Sequence, residues 1–535
     1  MVAEQVGGIA ETPGTPSVWY RLALGPWPLC AALFLVCLFL FTRNNDFHHA
    51  CHPDELGKAR QILEGEHNFK HPLLMLTTTE LAMVVFAVER TPQAVLRVGR
   101  CVSAFCAALA VAVLALTAFR LRGWAGAACV GVMCATTPSI LHLAHFMKED
   151  TILLGALSLV LLALTEDWKR RSPWSAAFVG ATCGLAASSK YIGFVALAAA
   201  IPLVPIRRSR PGRRARLKRL ALLTGLFCAV FLVANYHMMG DLAGSLAGVS
   251  YEVGHVKIGG TEFVLQRPYM KYVNYFGSLP VMFFVAVAFH GLYMLITARR
   301  RSGPEWLITL FPVAYLGVLL SSTLTSKRYL LPVETGLAVL AGLAVCEFVS
   351  LIAPWARRLN PAITVILIVA CLIVVARGQV PQWWRSHESF EVDSRRELIR
   401  WIVESLPAVQ LAQDSRVGLP GASKIVPPPP EWGARPDVLS ARYAADLGTL
   451  AELRAAGVQY VVVTRTRYRN LFREDYDPSA GQTEEARRRK RFYGLLFDEG
   501  QLVWEAPPGF NNYLQPGLRV YAIQPQDQPP RPSTE

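Results

Sequence analysis

The sequence predicts an α-helical polytopic membrane protein with one small α/β domain at its C-terminal end. Three observations lead there. Of the 535 residues, 53% are hydrophobic and only 17% charged, whereas soluble domains run near a quarter charged. Mean hydropathy is +0.31, and apolar runs of about 15–20 residues, the length that crosses a bilayer core, recur along most of the chain. Beyond about residue 378 the runs stop and short amphipathic segments take over.

About eleven spans follow from the runs: roughly 22–41, 96–118, 123–140, 151–166, 174–188, 191–206, 219–236, 279–297, 305–322, 329–350 and 360–377. Several fall short of the ~20 residues of a straight span, so tilted or broken helices are expected. The first run lacks a small-residue cleavage site leading into a soluble chain and reads as a retained helix. The basic clusters order the set. Arg120 with Arg122, Lys169 to Arg171, Arg207 to Arg219, Arg299 to Arg301, and Arg357 with Arg358 fall in every second short connection. The positive-inside bias assigns those connections, and the N-terminus with Arg21, to the cytoplasm. Hence the formal net charge of +15 reads as topology, with no nucleic-acid partner. The segment from Pro72, PLLMLTTTELAMVVFAV, is apolar enough to span, but spanning would break the alternation. It is expected to lie on the outer surface.

The expected domains are a membrane domain over 1–377, an extracytoplasmic α/β domain over 378–526 and a disordered end over 527–535. In the second, RRELIRWIVESLP has helical periodicity, VQYVVVTRT reads as a buried strand, LGTLAELRAAG as a helix closed by glycine, and QLVWEAPP and LRVYAI as further strands. The PPPP run at Pro427 is a loop. Ten of the eleven cysteines lie in or beside apolar runs, Cys51 excepted, and none lies beyond Cys371. The tail therefore has no disulfide framework, and no CxxC pair points to zinc.

With this topology, charged residues from distant segments meet at the outer face. CHPDELGKARQILEGE puts Asp54 and Glu55 in the first external loop, between His52 and Lys58. HFMKEDTILLG puts Glu149 and Asp150 at the mouth of the fourth span. AASSKYIGF puts Lys190 and Tyr191, and TSKRYLLPV puts Lys327, Arg328 and Tyr329, at other external turns. The acids could simply cap helices or favour the macrodipole. Lys190 and Arg328 could merely snorkel, yet they stand on the side that the positive-inside bias disfavours, which points to anion binding. Carboxylates with cations at headgroup level suit a sugar carried on a lipid phosphate. The cations would hold the phosphate and its growing charge, the leaving group needs no acid, and one carboxylate suffices to take a proton from an acceptor hydroxyl.

HPDE in the first loop, the apolar HPLL segment after it, KED before a span, SSKY and KRYLLPV, with GVQYVVVTRTRYRNLF, RKRFYGLLFDEG and LRVYAI in the tail, together resemble bacterial members of the protein O-mannosyltransferase family. That family belongs to the GT-C glycosyltransferase superfamily, and the chain is also similar to the aminoarabinose transferase of lipid A. The resemblance runs in order over nearly the whole chain, through short motifs. It implies a helical membrane bundle with amphipathic helices in the first external loop. It also implies a bacterial plasma-membrane location, a polyprenyl-phosphate sugar donor, inversion of configuration, and no required cofactor, although some GT-C enzymes use a divalent metal. Asp54 matches the catalytic base, with Glu55 beside it. Asp150 matches a carboxylate that positions acceptor or base, and Lys190 and Arg328 match basic positions facing the donor phosphate. The inserted lumenal domains of eukaryotic mannosyltransferases are missing, so a protein, lipid or glycan acceptor stays open.

Tyr191 joins Lys190 as a donor-side candidate. Arg97 and Arg100, one turn apart, could face the phosphate, with Arg100 the candidate, although pairing with a loop carboxylate is the commoner arrangement. In the external connection from His237 to Ser278, YEVGHVKIGG offers His255 and Lys257, and Glu149 joins His255 as a cleft candidate. A plain connecting loop is the simpler reading. His142 and His145 sit one residue off i,i+4 ligand spacing, and no metal site is assigned. A secondary transporter would instead carry ionisable residues at mid-bilayer in repeated halves, and a membrane-anchored interaction protein would tolerate Asp54→Asn.

Overall fold

The computed structural model describes residues 25–47, 52–170, 172–203, 213–258, 270–300, 302–321, 326–359, 361–406, 410–415, 417, 419, 432, 438–472 and 483–524. Arg21, Cys51, the prolines at 427–430, Gly259, Gly260 and the 527–535 end lie outside them. The first span is α1 (Trp27–Thr42). The loop after it carries α2 (Pro53–Glu64), amphipathic as the family resemblance implies, and α3 (Leu74–Val85), which is apolar on its exposed side as well, at Leu81, Val84 and Val85. At 12 residues and 1.5 Å per residue, α3 is too short to cross a bilayer core.

The 44-residue α4 (Pro92–Ala135) is two arms joined at Gly123, whose φ of +66° suits glycine alone. The arms are the second and third expected spans, with one correction. The third was expected to run to residue 140 but stops at Ala135, where the Thr136 and Thr137 hydroxyls bond back to Val132 O and Met133 O, both at 2.9 Å. Pro138 then opens a separate helix, α5 (Pro138–Ala144). The following helices are α6 (Glu149–Arg170), α7 (Pro173–Ser189), α8 (Phe194–Leu203) and α9 (Arg213–Ala234). The connection from His237 to Ser278, expected as plain loop, is largely helical: α10 (Tyr236–Gly240), α11 (Leu242–Ile258) and α12 (Met270–Gly277). Then come α13 (Val281–Ile296), α14 (Gly303–Leu320), α15 (Leu331–Leu359) and α16 (Pro361–Ala376). α17 (Val380–Glu388) bends 62° away from α16 and packs on α5.

Each expected span contains an apolar helix. Among the described residues, five helices are long and apolar enough to cross a membrane, or six with the bent pair counted as one. The central helices are α4, α6 and α15, and α4 and α15 bury many small residues: Ala104, Ala107, Ala108, Ala110, Ala338, Ala341 and Ala344. Small residues let membrane helices approach closely. Peripheral helices instead expose Phe39, Leu295, Ile296, Val313 and Ile366, the surface that hydrocarbon would cover. The chain is a multi-pass membrane protein.

The tail contains α18 (Ser394–Ser405), β1 (Gln410–Asp414), β2 (Leu439–Ala441), α19 (Leu450–Ala455), β3 (Val458–Thr464), α20 (Arg465–Tyr468), α21 (Thr483–Glu499), β4 (Gln501–Pro508) and β5 (Pro516–Ala522); α18, α19, β3, β4 and β5 fall where periodicity puts them, and the other four are additions. The sheet order is β2-β1-β3-β5-β4, parallel through β3 and antiparallel beyond it. Val461 and Val463 of β3 face one apolar cluster and Tyr460 and Val462 the other. That two-sided burial explains why the strand reads as a continuous apolar run.

Candidate active site

The start of α2 builds the site. His52 is its N-cap, and its Nδ1 accepts from the Asp54 N–H at 3.2 Å. Glu55, three residues on, returns a carboxylate oxygen to the His52 N–H at 2.9 Å, so HPDE is a capping box with histidine in the serine role. Glu55 also receives Arg100 Nε and Nη2, both at 3.0 Å, and the Met147 N–H at 2.8 Å. Arg100 also bonds Asn45 O at 3.0 Å and Phe47 O at 2.7 Å and stacks on the Phe47 ring. Both side chains are wholly buried. Glu55, expected beside the base, and Arg100, expected at a phosphate, are therefore saturated by one another and by backbone. They rivet α2 to α4 and to the segment before α6. Arg97 pairs with Asp46 at 2.6 Å.

Asp54 points the other way. Its side chain is 37% exposed and lines a cavity of about 270 Å3. Its Oδ2 accepts from Lys148 Nζ and, at 3.0 Å, from Arg328 Nη1, residues 94 and 274 positions away in sequence. Burial alone would raise the Asp54 carboxyl, but Lys148 and then Arg328 outweigh it and hold it well below the usual carboxylate range. Burial, seconded by Lys58, pushes Lys148 down to about 8. The His52 imidazole is pushed down to about 2 by burial and then by Lys148, and is neutral. Its Nε2 lies 3.2 Å from Arg328 Nη1. A neutral imidazole has one acceptor nitrogen, so His52 either caps α2 or accepts from Arg328.

A chain of contacts leads from Asp54 to Asp150. Arg328 donates to Tyr329 Oη at 3.3 Å, Lys190 Nζ stands 4.4 Å from the centre of the Tyr329 ring, and Lys190 Nζ bonds Asp150 Oδ1 at 2.7 Å. Among the described residues, Asp150 Oδ2 and Arg328 Nε are buried without a hydrogen-bond partner. Glu149 takes Lys58 Nζ at 2.8 Å and stands 3.8 Å from Lys148 Nζ. Asp54, Asp150, Glu149, Lys190 and Arg328 thus converge as expected. Tyr191 does not join them, because its hydroxyl donates to Phe69 O at 2.8 Å and anchors the first loop. The side chain of His255 lies outside the described residues. The neighbouring Tyr251 and Glu252 of α11 line the cavity instead. α11 approaches through Gly248, where a Cβ would lie 2.5 Å from Phe69 O. His145 is spent on Leu141 O and Arg43 O. Among the described residues, no group of three His, Cys, Asp or Glu could hold a metal ion.

Sequence reasoning missed Lys148 and, on the cavity wall, His71 and Glu252, and it named Lys58 beside the acids without giving it a role. Lys148 was visible within KED, where three consecutive charged residues open a helix that is otherwise apolar for most of its length.

Residues 70–237 match the model of the dolichyl-phosphate-mannose-protein mannosyltransferase family. ArnT from Cupriavidus metallidurans, solved bound to undecaprenyl phosphate, superposes with a TM-score of 0.53 at 15% identity, covering 94% of this chain and 100% of that one. The fold is GT-C. The oligosaccharyltransferase of Archaeoglobus fulgidus in its apo form agrees, with a TM-score of 0.52 at 13% identity over 91% of this chain and 80% of that one. No curated protein matches the sequence. The resemblance read from the sequence motifs and the GT-C fold thus agree, with the matched region running from the first loop to the start of α10.

Proposed function

We propose that this chain is a glycosyltransferase that moves a sugar from a polyprenyl-phosphate donor to a hydroxyl on a protein, lipid or glycan acceptor. It would act at the outer face of the bacterial plasma membrane. Asp54 is the base, without a metal. The observation that carries this reading is a half-open carboxylate on a cavity wall, gripped by two cations from distant segments. The family match and the undecaprenyl phosphate held by ArnT support the donor class.

In the clamped state Asp54 is a poor base, because its proton affinity is spent on Lys148 and Arg328. A donor phosphate resolves this. Its two oxygens compete for the same cations, and each cation transferred to phosphate returns basicity to the carboxylate. The acceptor oxygen then attacks the anomeric carbon while Asp54 takes its proton. The bond from that carbon to the phosphate oxygen breaks, the phosphate leaves with the electron pair, and configuration inverts. Lys148 and Arg328 stabilise the charge on the departing phosphate. Lys190 with Asp150, linked to Arg328 through Tyr329, holds the far side of the site.

The test is purified protein with a radiolabelled undecaprenyl-phosphate-linked hexose. Turnover should release free undecaprenyl phosphate. A transporter would move donor without cleaving it, and intact donor after prolonged incubation with acceptor extracts would end the transferase reading.

A further inference from the structure

The β4–β5 hairpin of the C-terminal domain reaches into the membrane domain beside the base. We infer that the Tyr513 ring at its tip is a positioning residue: by covering the His52 imidazole it fixes the start of α2, and with it Asp54, against Arg328. The inference rests on the reading of Asp54 as base.

Three observations carry it. First, the Tyr513 ring centre lies 4.6 Å from that of His52 and 5.4 Å from that of Phe146, and His52 is only 3% exposed. Second, the tip is itself held rigidly. The Tyr513 N–H donates to Asn511 Oδ1 at 3.1 Å, its carbonyl accepts from Arg395, and Leu514 O accepts from the Ser394 N–H at 3.2 Å. Third, the imidazole under the ring touches both halves of the base's environment, the Asp54 N–H through Nδ1 and Arg328 through Nε2. A ring held in one plane can swap between those two bonds only by changing tautomer. A ring free to rotate would lose both.

Removing the Tyr513 ring would admit water to an imidazole that burial keeps neutral. The groups facing it are Asp54, Lys148, Arg328 and Lys58, with Phe146 on its apolar side. Once hydrated, it would protonate as pH falls toward the ordinary histidine value of about 6.5. The imidazolium would then pair with Asp54, 3.7 Å from Nδ1, and repel Arg328.

The experiment compares full-length wild type, Tyr513→Ala, Tyr513→Phe and Asp54→Asn for release of undecaprenyl phosphate from an undecaprenyl-phosphate-linked hexose, across pH 5 to 8. Tyr513→Ala should lower kcat at least tenfold with donor KM within about twofold. It should also gain an acid limb with a midpoint near pH 6 that wild type lacks, and Tyr513→Phe should restore both. A Tyr513→Ala protein with wild-type kcat and pH profile overturns the inference, as does Tyr513→Phe behaving like Tyr513→Ala. If Asp54→Asn is also fully active, the base assignment falls too. If it is inactive, only the positioning role does.

Discussion

The two ends of the helical bundle solve the same electrostatic problem differently. At the end where the arms of α4 meet, the acids are held by arginine. Arg122 spans Glu305 at 2.6 Å and Glu347 at 2.9 Å, Arg219 grips Asp167 at 2.6 Å, and Arg120 takes Glu166 at 2.7 Å. His290 adds a 2.8 Å bond to the second oxygen of Glu347. At the Asp54 end, lysines face the cavity and its neighbours: Lys58 on Glu149, Lys148 on Asp54 and Lys190 on Asp150. A guanidinium is a rigid fork that fixes geometry, whereas an ammonium is a point charge on a flexible stem that changes partners easily. The Asp54 end contains the contrast within itself. Arg100 holds Glu55 through two nitrogens and is structural. Arg328 reaches Asp54 through one nitrogen, and its buried Nε has no hydrogen-bond partner among the described residues. Under the proposed mechanism Lys148 and Arg328 are the cations that pass from carboxylate to phosphate, whereas Arg100 holds α2 in place.

Several substitutions press on this contrast, the largest effect first. Asp54→Asn should lower transfer by about 10²- to 10⁴-fold, the usual contribution of a general base. Near-wild-type turnover in the donor-release assay would remove the base. Next, Arg328→Ala should weaken undecaprenyl phosphate binding by roughly 10- to 100-fold, the worth of a charge-assisted bond, whereas Arg122→Met at the other end should leave it unchanged. Calorimetry on both variants decides whether the two ends differ in function. Glu55→Ala takes the carboxylate away from the buried Arg100 charge, so it should cost about 3–5 kcal/mol of stability while the folded fraction still turns over. A thermal melt beside an activity assay separates that outcome from a catalytic loss.

The pH dependence is subtler. The folded-state value for Lys148 is about 8, depressed from 10.5, so above pH 8 the folded protein sheds a proton that the unfolded chain keeps. Stability therefore rises between about 8 and 10.5 from this group, while donor capture falls because the cation is lost. A kcat/KM profile should show that alkaline limb. Lys148→Arg, which stays charged, should shift it upward, and an unshifted limb would assign it elsewhere.

Much of this fold was legible because apolar length and basic clusters are local properties. The tail was legible for the same reason, since VQYVVVT carries its two-sided burial in its own composition. The convergence of Asp54 and Arg328 also followed, because topology alone sends both to one face. What the sequence hid was partner choice. Glu55 stands next to Asp54, yet successive residues on a helix face different ways, and one meets a buried arginine while the other meets the cavity. The N-cap spacing of His52 to Glu55 was the available signal. Tyr191 likewise adjoins Lys190 but is captured by a carbonyl of the first loop, a contact set by tertiary approach. The helices between His237 and Ser278 were obscured by their glycines, one of which serves close packing on Phe69.

The claim beneath all of this is that Lys148 and Arg328 are shared between Asp54 and the donor phosphate. The affinity of Asp54→Asn for undecaprenyl phosphate, measured beside wild type at pH 7, tests it most directly. With the competing carboxylate neutralised, the two cations are free for phosphate, and binding should tighten by about tenfold. Equal or weaker binding in a folded Asp54→Asn protein would contradict the shared clamp.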